Sequence, residues 1–427
     1  MGFLPSPTDK PLDEQEIEKE YLRVPRFALR VLGYWPHDKL LSLRVLPFTI
    51  LSLTILALGV AAEVSFSYTH VNNLPLALDA LCPALTKGVT IVKFIMLLLT
   101  RSEVAKMLND IKQKWIKGQL FLFVKIKSQL ILKLRRQITR IIYENLRATR
   151  VAMVAAMILI CFSNTASTGY SLRPLGTMVR QYYTGKEIVR AMPFKSAYPF
   201  DEYADPIYAF TYIFISSTGT ICCFGLAGMD GIFVAICLHI SAEFRILKRN
   251  FDQLTQDQQT VENERTIQYS KAENEELNKK LKVLIRQHQE TIQMNDHMVE
   301  LFLVNIFSHF VSAALVLCCV SVNLLLAKDA EAILYICYGI AALTQLLIFC
   351  AGGTILNMAS FDISEAAYFL DWYKLDIRNQ RLIGLIILRA QTPCGIVVPF
   401  FESSLQTFTT IMRATGSYIA LFRTFLE

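Results

Sequence analysis

Four residues near the end of the chain share one face of a predicted helix. Ala414, Ser417, Leu421 and Thr424 recur at intervals of three, four and three residues, which is the periodicity of one α-helical face. If several copies of this helix surround a common axis, water can wet the small polar positions while a ring of leucines forms a hydrophobic constriction. Small residues also let two ordinary helices approach closely. The pattern alone supports a pore gate and a packing face equally.

Two lysines lie inside a long apolar segment. Lys87 and Lys93 both fall within Leu76–Leu99. At bilayer depth an ammonium group costs a few kcal/mol unless it pairs, meets water or extends to the interface. We expect Lys93 to extend towards the cytoplasmic interface. Lys87 lies closer to the middle of the segment, and one interpretation is that it lines a polar cavity.

Enzymatic motifs are absent from the sequence. His288 and His297 do not form an H-E-x-x-H pair, and no G-x-S-x-G or Walker sequence occurs. Gly225, Gly228 and Gly231 lie inside an apolar segment, where glycine usually marks close helix packing. We therefore expect no enzyme activity, no cofactor and no metal site.

Seven mostly apolar stretches divide the chain, and about 20 such residues suffice to cross a bilayer as a helix. The predicted spans are Val45–Ala62, Leu76–Leu99, Val151–Tyr170, Ile207–Ile240, Leu301–Ala327, Ile333–Met358 and Ser403–Arg423. The seventh is the most polar, and it reads as too polar to face lipid on all sides. With 53% hydrophobic and 19% charged residues, the composition predicts an all-α polytopic membrane protein with seven transmembrane helices and no separate soluble domain.

Nearly all lysine and arginine between the spans falls in the segments continuous with the N-terminus. Short basic loops remain cytoplasmic, so the N-terminus is predicted inside and the C-terminus outside. The first forty-four residues are polar and lack a signal-peptide pattern, which also predicts a cytosolic N-terminus. The net charge of +7 suits an anionic bilayer surface, and we expect no nucleic-acid partner.

The cytoplasmic connections predict a helical layer beneath the membrane. Arg101–Arg147 carries a basic amphipathic pattern that continues into the third span. Ser241–Glu300 has an apolar stripe leading into the fifth span, and such a stripe must bury itself against the same chain or another subunit. The stripe comprises Leu277, Leu281, Leu284, His288 and Ile292. On the outer side, Ser171–Ala204 is either a cover for an outward-opening cavity or a solvated loop with an interfacial aromatic belt.

The C-terminal third resembles the signature of insect odorant receptors. The matching residues are Gln345 to Cys350, Ser360, Trp372-Tyr373, Arg389 to Pro393, Phe408 to Arg413 and Ser417-Tyr418. The sequence departs from the family where tyrosines and a Phe-Gly often flank the cysteine, since here Phe349 precedes Cys350 and Ala351-Gly352-Gly353 follows it.

The resemblance implies a tetrameric, ligand-gated, non-selective cation channel in the plasma membrane of a sensory dendrite. Such channels combine an odorant-tuned subunit with a shared co-receptor, and the short loop Ser241 to Glu300 resembles that of a tuning subunit. Carried over from Tyr418, the family's gate positions fall on Leu421 and Thr424. Trp372–Pro399 would form the cytoplasmic anchor where subunits meet. Residues 1–358 would then carry the first six helices and the odorant pocket, and residues 359–427 the anchor and the pore-lining helix.

The resemblance also implies a pocket for a small, volatile, mostly apolar ligand in the outer half of the bundle, among the second, third, fourth and sixth spans. The candidate residues are Phe162, Ser163, Tyr208, Tyr212, Tyr335 and Tyr338. Tyrosines near a membrane boundary also serve as interfacial anchors. Tyr212 and Tyr338 are preferred because they lie deeper along their spans.

Three alternatives share parts of this description. A gustatory receptor channel subunit would have the same topology, but a different C-terminal signature. A seven-helix G-protein-coupled receptor requires the opposite orientation. A secondary transporter would show an internal repeat or broken spans at matching positions.

Overall fold

The computed structural model describes residues 22–38, 45–123, 129–261, 269–327 and 330–426. The side chains of the amphipathic pattern in the first cytoplasmic connection lie largely outside the described residues. The helices are α1 Arg23–Val31, α2 Leu46–Thr69, α3 Leu74–Leu99, α4 Arg101–Phe123, α5 Gln129–Tyr183, α6 Ile207–Val261, α7 Lys271–Leu326, α8 Ala330–Tyr368, α9 Ile377–Ala390 and α10 Leu405–Leu426. A 3-10 turn at Trp372–Lys374 and a hairpin of β1 Val397–Val398 and β2 Phe401–Glu402 complete the described elements.

Each predicted span coincides with one long helix, which confirms the seven-helix membrane fold. Six of the described helices are long and apolar enough to cross a bilayer, namely α2, α3, α5, α6, α7 and α8. The seventh, α10, has 22 residues and is more polar. Helices α5, α6 and α7 are 55, 55 and 56 residues long, so they extend well beyond a bilayer. The proposed boundary after residue 358 falls inside α8, which runs unbroken to Tyr368.

Helix α6 forms the centre of the bundle, and its glycines allow neighbours to come close. A Cβ at Gly228 would lie 2.6 Å from Leu29, and one at Gly231 would lie 2.6 Å from Pro25. These partners belong to α1, a short amphipathic helix that was not predicted from the sequence. The predicted close packing of the glycines is confirmed, and α1 is part of what packs there.

A cytoplasmic helical layer forms where α9 packs on the first half of α7. The stripe that leads into the fifth span is buried in this same chain, from Leu277 to Ile292. Two buried asparagines join the helices: the Asn278 side-chain amide donates to Asn379 Oδ1 at 2.7 Å, and Asn379 donates to the Asn274 carbonyl at 2.9 Å. The structure thus resolves the alternative in favour of burial within the chain.

The start of α10 is fastened to α8. Ser403 Oγ donates to the Phe349 carbonyl at 3.1 Å, and the Leu405 backbone N–H donates to Thr354 Oγ1 at 2.9 Å. Gly353 packs so close to the Ser403 carbonyl that a Cβ there would overlap it. These contacts hold the first turn of α10 against α8.

Candidate functional site

An internal cavity lies between α3, α5, α6, α7, α8 and the connection that follows α5. Its volume is about 80 Å³, counted as the space open to the centre of a water molecule. Most of the lining is apolar or aromatic, and the lining residues are Pro83, Thr86, Lys87, Val89, Ser163, Ala166, Ser167, Tyr170, Phe194, Gly219, Cys222, Cys223, Leu226, His309, Ser312, Ala313, Val316, Tyr338, Ala341, Ala342 and Gln345. An apolar site with a few polar groups is the usual form of a small-molecule pocket.

Aromatic side chains form one wall of the cavity. The Tyr338 hydroxyl lies 2.6 Å from Thr86 Oγ1 and donates to the Cys82 carbonyl at 3.3 Å. The Tyr170 ring meets Tyr338 edge-on at 6.1 Å and stacks on Phe194 at 5.4 Å. These contacts hold the rings in fixed orientations around the cavity.

The connection between α5 and α6 covers the cavity through Phe194. This side chain is buried and lines the cavity, and the nearby Ala197 backbone N–H donates to the Ala62 carbonyl at 3.0 Å. Burial raises the pKa of the Tyr198 phenol in the same segment. This connection is therefore packed onto the bundle at Phe194 and Ala197. The first part of the predicted outer connection Ser171–Ala204, up to Tyr183, belongs to α5 and is helical.

Lys87 contributes to the cavity wall, but its charge is paired. Its ammonium group bonds Glu63 Oε1, and the two side chains are 2% and 0% exposed. The same nitrogen lies 4.1 Å from the centre of the Phe194 ring, a cation–π geometry. Lys87 thus both lines the cavity and belongs to a buried ion pair whose acid lies on α2.

Lys93 is also paired, so the expectation that it extends to the interface is wrong. Its side chain is 1% exposed, and Nζ lies 2.5 Å from Asp230 Oδ1 on α6. Gln345, at the edge of the cavity, donates to the other oxygen of the same carboxylate. Because the ammonium group is paired with an acid inside the bundle, it does not have to extend to water at the interface.

In the described part of the chain, no three His, Cys, Asp or Glu side chains are arranged to hold a metal ion.

Two of the six candidate ligand residues, Ser163 and Tyr338, line this cavity. The other four lie elsewhere. Tyr335 donates to Asp79 at 2.8 Å, Tyr208 donates to the Ala191 carbonyl at 3.0 Å, and Tyr212 donates to the Ser171 carbonyl, while the Phe162 side chain is 44% exposed on the outer surface of the described chain. The three tyrosine hydroxyls therefore form hydrogen bonds between helices or between a helix and a loop.

Helix α7 also lines the cavity, which was not predicted from the sequence. His309, Ser312, Ala313 and Val316 line the cavity, although the fifth span was not among those expected to do so. Their spacing of three, one and three residues places them on one helical face. A face with small and polar residues inside an apolar span is a sequence signal from which the contribution of α7 could have been predicted.

The face of α10 chosen from periodicity is exposed in the single chain. Ala414, Ser417, Leu421 and Thr424 are all exposed, with Leu421 51% exposed. The hydroxyls bond their own helix, since Ser417 donates to the Arg413 carbonyl at 3.1 Å and Thr424 donates to the Leu421 carbonyl at 2.7 Å. The gate assignment remains a prediction.

Comparisons with known proteins match this chain to odorant receptors over almost its whole length. The family model described as 7tm odorant receptor matches residues 73–416. Odorant receptor 10a of Drosophila melanogaster is 30% identical over 421 residues, covering 96% of this chain and 97% of that protein. Odorant receptor 22c of the same organism is 26% identical, with 96% and 98% covered.

The fold matches a solved insect receptor. The structure of the insect olfactory receptor OR5 from Machilis hrabei has a TM-score of 0.74 at 14% identity, covering 96% of this chain and 99% of that one. The same receptor in complex with eugenol gives a TM-score of 0.71 at 13% identity. Because the family model spans most of the sequence, the chain belongs to the odorant receptor family, whose members are ion channels and not enzymes.

Proposed function

We propose that this chain is the odorant-tuned subunit of a ligand-gated, non-selective cation channel and that its internal cavity binds the odorant. The observation that carries this proposal is an apolar, aromatic-walled cavity inside the bundle of an odorant receptor chain. At roughly 10–15 Å³ for each water position, its volume corresponds to about five to eight waters. That space suits a compact volatile molecule.

A matched protein supports the class of ligand. The Machilis hrabei receptor was solved in complex with eugenol. Eugenol is a small aromatic molecule, and the aromatic and aliphatic lining of the present cavity offers comparable chemistry. We therefore expect the ligand to be small and mostly apolar.

Helix α8 connects the cavity to the proposed pore helix. Tyr338, Ala342 and Gln345 line the cavity, and one turn further along the same helix the Phe349 carbonyl accepts the hydrogen bond from Ser403. A ligand that binds better when α8 is shifted favours the matching position of α10. In this mechanism α10 moves outward, the constriction at Leu421 widens and the pore is wetted.

The proposed complex is a heterotetramer with a co-receptor in the plasma membrane of a sensory dendrite. The anchor segment supports an interface between subunits, because its outer surface carries several large apolar side chains that the single chain leaves exposed. These are Ile377, Leu385, Leu388 and Val397, and the exposed Phe400 directly follows the segment. Exposed apolar patches of this kind usually mark a protein contact.

Whole-cell recording tests the proposal. Cells that express this chain with an insect odorant co-receptor are challenged with an odorant panel while G-protein signalling is blocked, and co-receptor-only cells are the control. A rapid ligand-evoked cation current that needs this chain is expected. No current from a broad panel, with surface expression verified, would contradict the proposal. An epitope tag at either terminus checks the inside N-terminus separately.

A further inference from the structure

One polar atom at the cavity has no bonding partner in the described chain. His309 is buried on α7 and lines the cavity, and none of the described residues hydrogen-bonds its Nε2. Its ring stacks on Phe349 with centroids 4.4 Å apart, which fixes the plane of the imidazole. A buried nitrogen of this kind costs free energy unless a partner reaches it.

The ammonium group, the side-chain amide and two of the hydroxyls that line the cavity already have partners. Lys87 is paired with Glu63, Gln345 donates to Asp230, and the hydroxyls of Thr86 and Tyr338 bond each other. Ionic interactions at the cavity are therefore made within the protein. A charged ligand would bring an uncompensated charge into a site of low dielectric constant, which is strongly unfavourable.

We propose that His309 Nε2 is the polar anchor for the ligand, so the cavity selects small, neutral molecules that carry one hydrogen-bonding oxygen. This inference rests on the proposed function. The apolar body of the ligand packs against the aromatic wall, and its hydroxyl or carbonyl oxygen bonds the imidazole. A neutral imidazole nitrogen is either an N–H donor or an acceptor, so a carbonyl ligand requires the donor form, whereas a hydroxyl ligand fits both.

Matched ligands test the inference without any mutation. Toluene, phenol and benzaldehyde have similar size and one aromatic ring, but toluene has no oxygen and benzaldehyde offers only an acceptor. In cells that express this chain with the co-receptor, at least one of the oxygen-bearing compounds should be more potent than toluene by roughly 5- to 100-fold. The protonated form of benzylamine should be inactive. Equal potency of all three neutral compounds would overturn the inference.

Two substitutions then assign the preference to one side chain. His309→Leu should abolish the preference for oxygen while leaving the potency of toluene within a few-fold, and His309→Gln should retain part of it. A preference that survives in His309→Leu would refute the role of this residue. If His309→Leu does not reach the cell surface, the potencies of the same ligands on His309→Gln and on the wild type still test the role of His309.

A third variant separates the two proposals. Ala342→Phe fills part of the cavity from α8, leaves the His309 side chain in place and should weaken every agonist alike. If Ala342→Phe changes potency but the ligands are not ranked by oxygen, the cavity binds odorants and only the role of His309 fails. If Ala342→Phe changes nothing, or the whole panel is silent, the proposed function fails together with the inference.

Discussion

Breaking the buried ion pair between Glu63 and Lys87 should destabilise the protein far more than removing the pair altogether. Both side chains are excluded from solvent, at 0% and 2% exposure, and they join α2 to α3. Glu63→Met leaves the ammonium group buried without its acid, which costs roughly 3–5 kcal/mol in comparable cases. The cation–π contact with Phe194 persists in both wild type and variant, so it does not change this difference.

The double variant Glu63→Met/Lys87→Met should recover most of the loss. Replacing a buried pair by apolar side chains of similar volume is often neutral or stabilising. The lost cation–π contact offsets part of that gain, by about 2 kcal/mol for a desolvated contact. The expected stability of the double variant is therefore close to wild type, and well above that of the single variant.

Thermal unfolding of the purified, detergent-solubilised protein measures both effects. With an average unfolding entropy of about 2.1 cal/mol/K per residue, a loss of 3–5 kcal/mol over a chain of this length lowers Tm by about 3–6 °C. The exposed pair Arg286 and Glu290 gives a matched control, since their side chains are 82% and 52% exposed. Glu290→Gln should change stability by about 0.5 kcal/mol or less.

The decisive comparison is between the single and double variants. A double variant as unstable as Glu63→Met would show that the loss comes from packing at Glu63 rather than from an orphaned charge. A Glu63→Met protein as stable as the wild type would show that Lys87 tolerates burial without its acid. Either result refutes the electrostatic argument.

Three further predictions concern the pore helix and the cavity. Leu421→Ala should raise basal current or alter ion selectivity in cells that also express the co-receptor, whereas Ile419→Ala on the opposite face should not; wild-type currents in a normally assembled Leu421→Ala channel would argue against the gate. Gly353→Ala should abolish odorant-evoked current, because its Cβ would overlap the Ser403 backbone just before α10. Gly352→Ala is the control and should be tolerated, because its Cβ would make an ordinary contact at 3.9 Å. Equal effects of the two substitutions would contradict the packing argument. Tyr338→Ala should shift odorant potency without loss of surface assembly, and unchanged dose–response curves for every ligand would refute its role.

Hydrophobic length and charge bias were sufficient to predict the seven-helix fold, because bilayer thickness fixes the span of each helix. The partners of the buried lysines were not predictable in the same way. The first span was expected to end at Ala62, one residue before Glu63, whereas α2 continues to Thr69. Asp230 lies 137 positions from Lys93 in sequence, so only the packing of α6 against α3 brings them together.

In the candidate site too, the helices were predictable from the sequence, whereas the side chains that face the cavity were not. Tyr338 and Ser163 were predicted on helices that do surround the cavity, because family resemblance identifies spans. Which face of each helix turns inward depends on the rotation of the helix about its axis, and the sequence does not fix this rotation. A tyrosine that anchors a helix at the membrane interface therefore looks the same in the sequence as one that lines the pocket. Tyr208 and Tyr212 are therefore tied to the outer connection and α5, while His309 on an unexpected helix lines the cavity.

The attachment of α10 explains how a small change at the cavity can reach the proposed gate. The contacts of this helix with the bundle lie in its first turns, where Phe408 and Ile411 pack against the core and where Ser403 and Leu405 bond α8. From Leu405 to Leu421 the helix rises by about 24 Å at 1.5 Å per residue. A tilt of about 5° at the attachment then displaces Leu421 by roughly 2 Å, and a ring of four such leucines would widen by about twice that distance. In the proposed mechanism, a local rearrangement of α8 by a bound ligand would therefore be sufficient to widen the Leu421 constriction, without a large movement of the rest of the bundle.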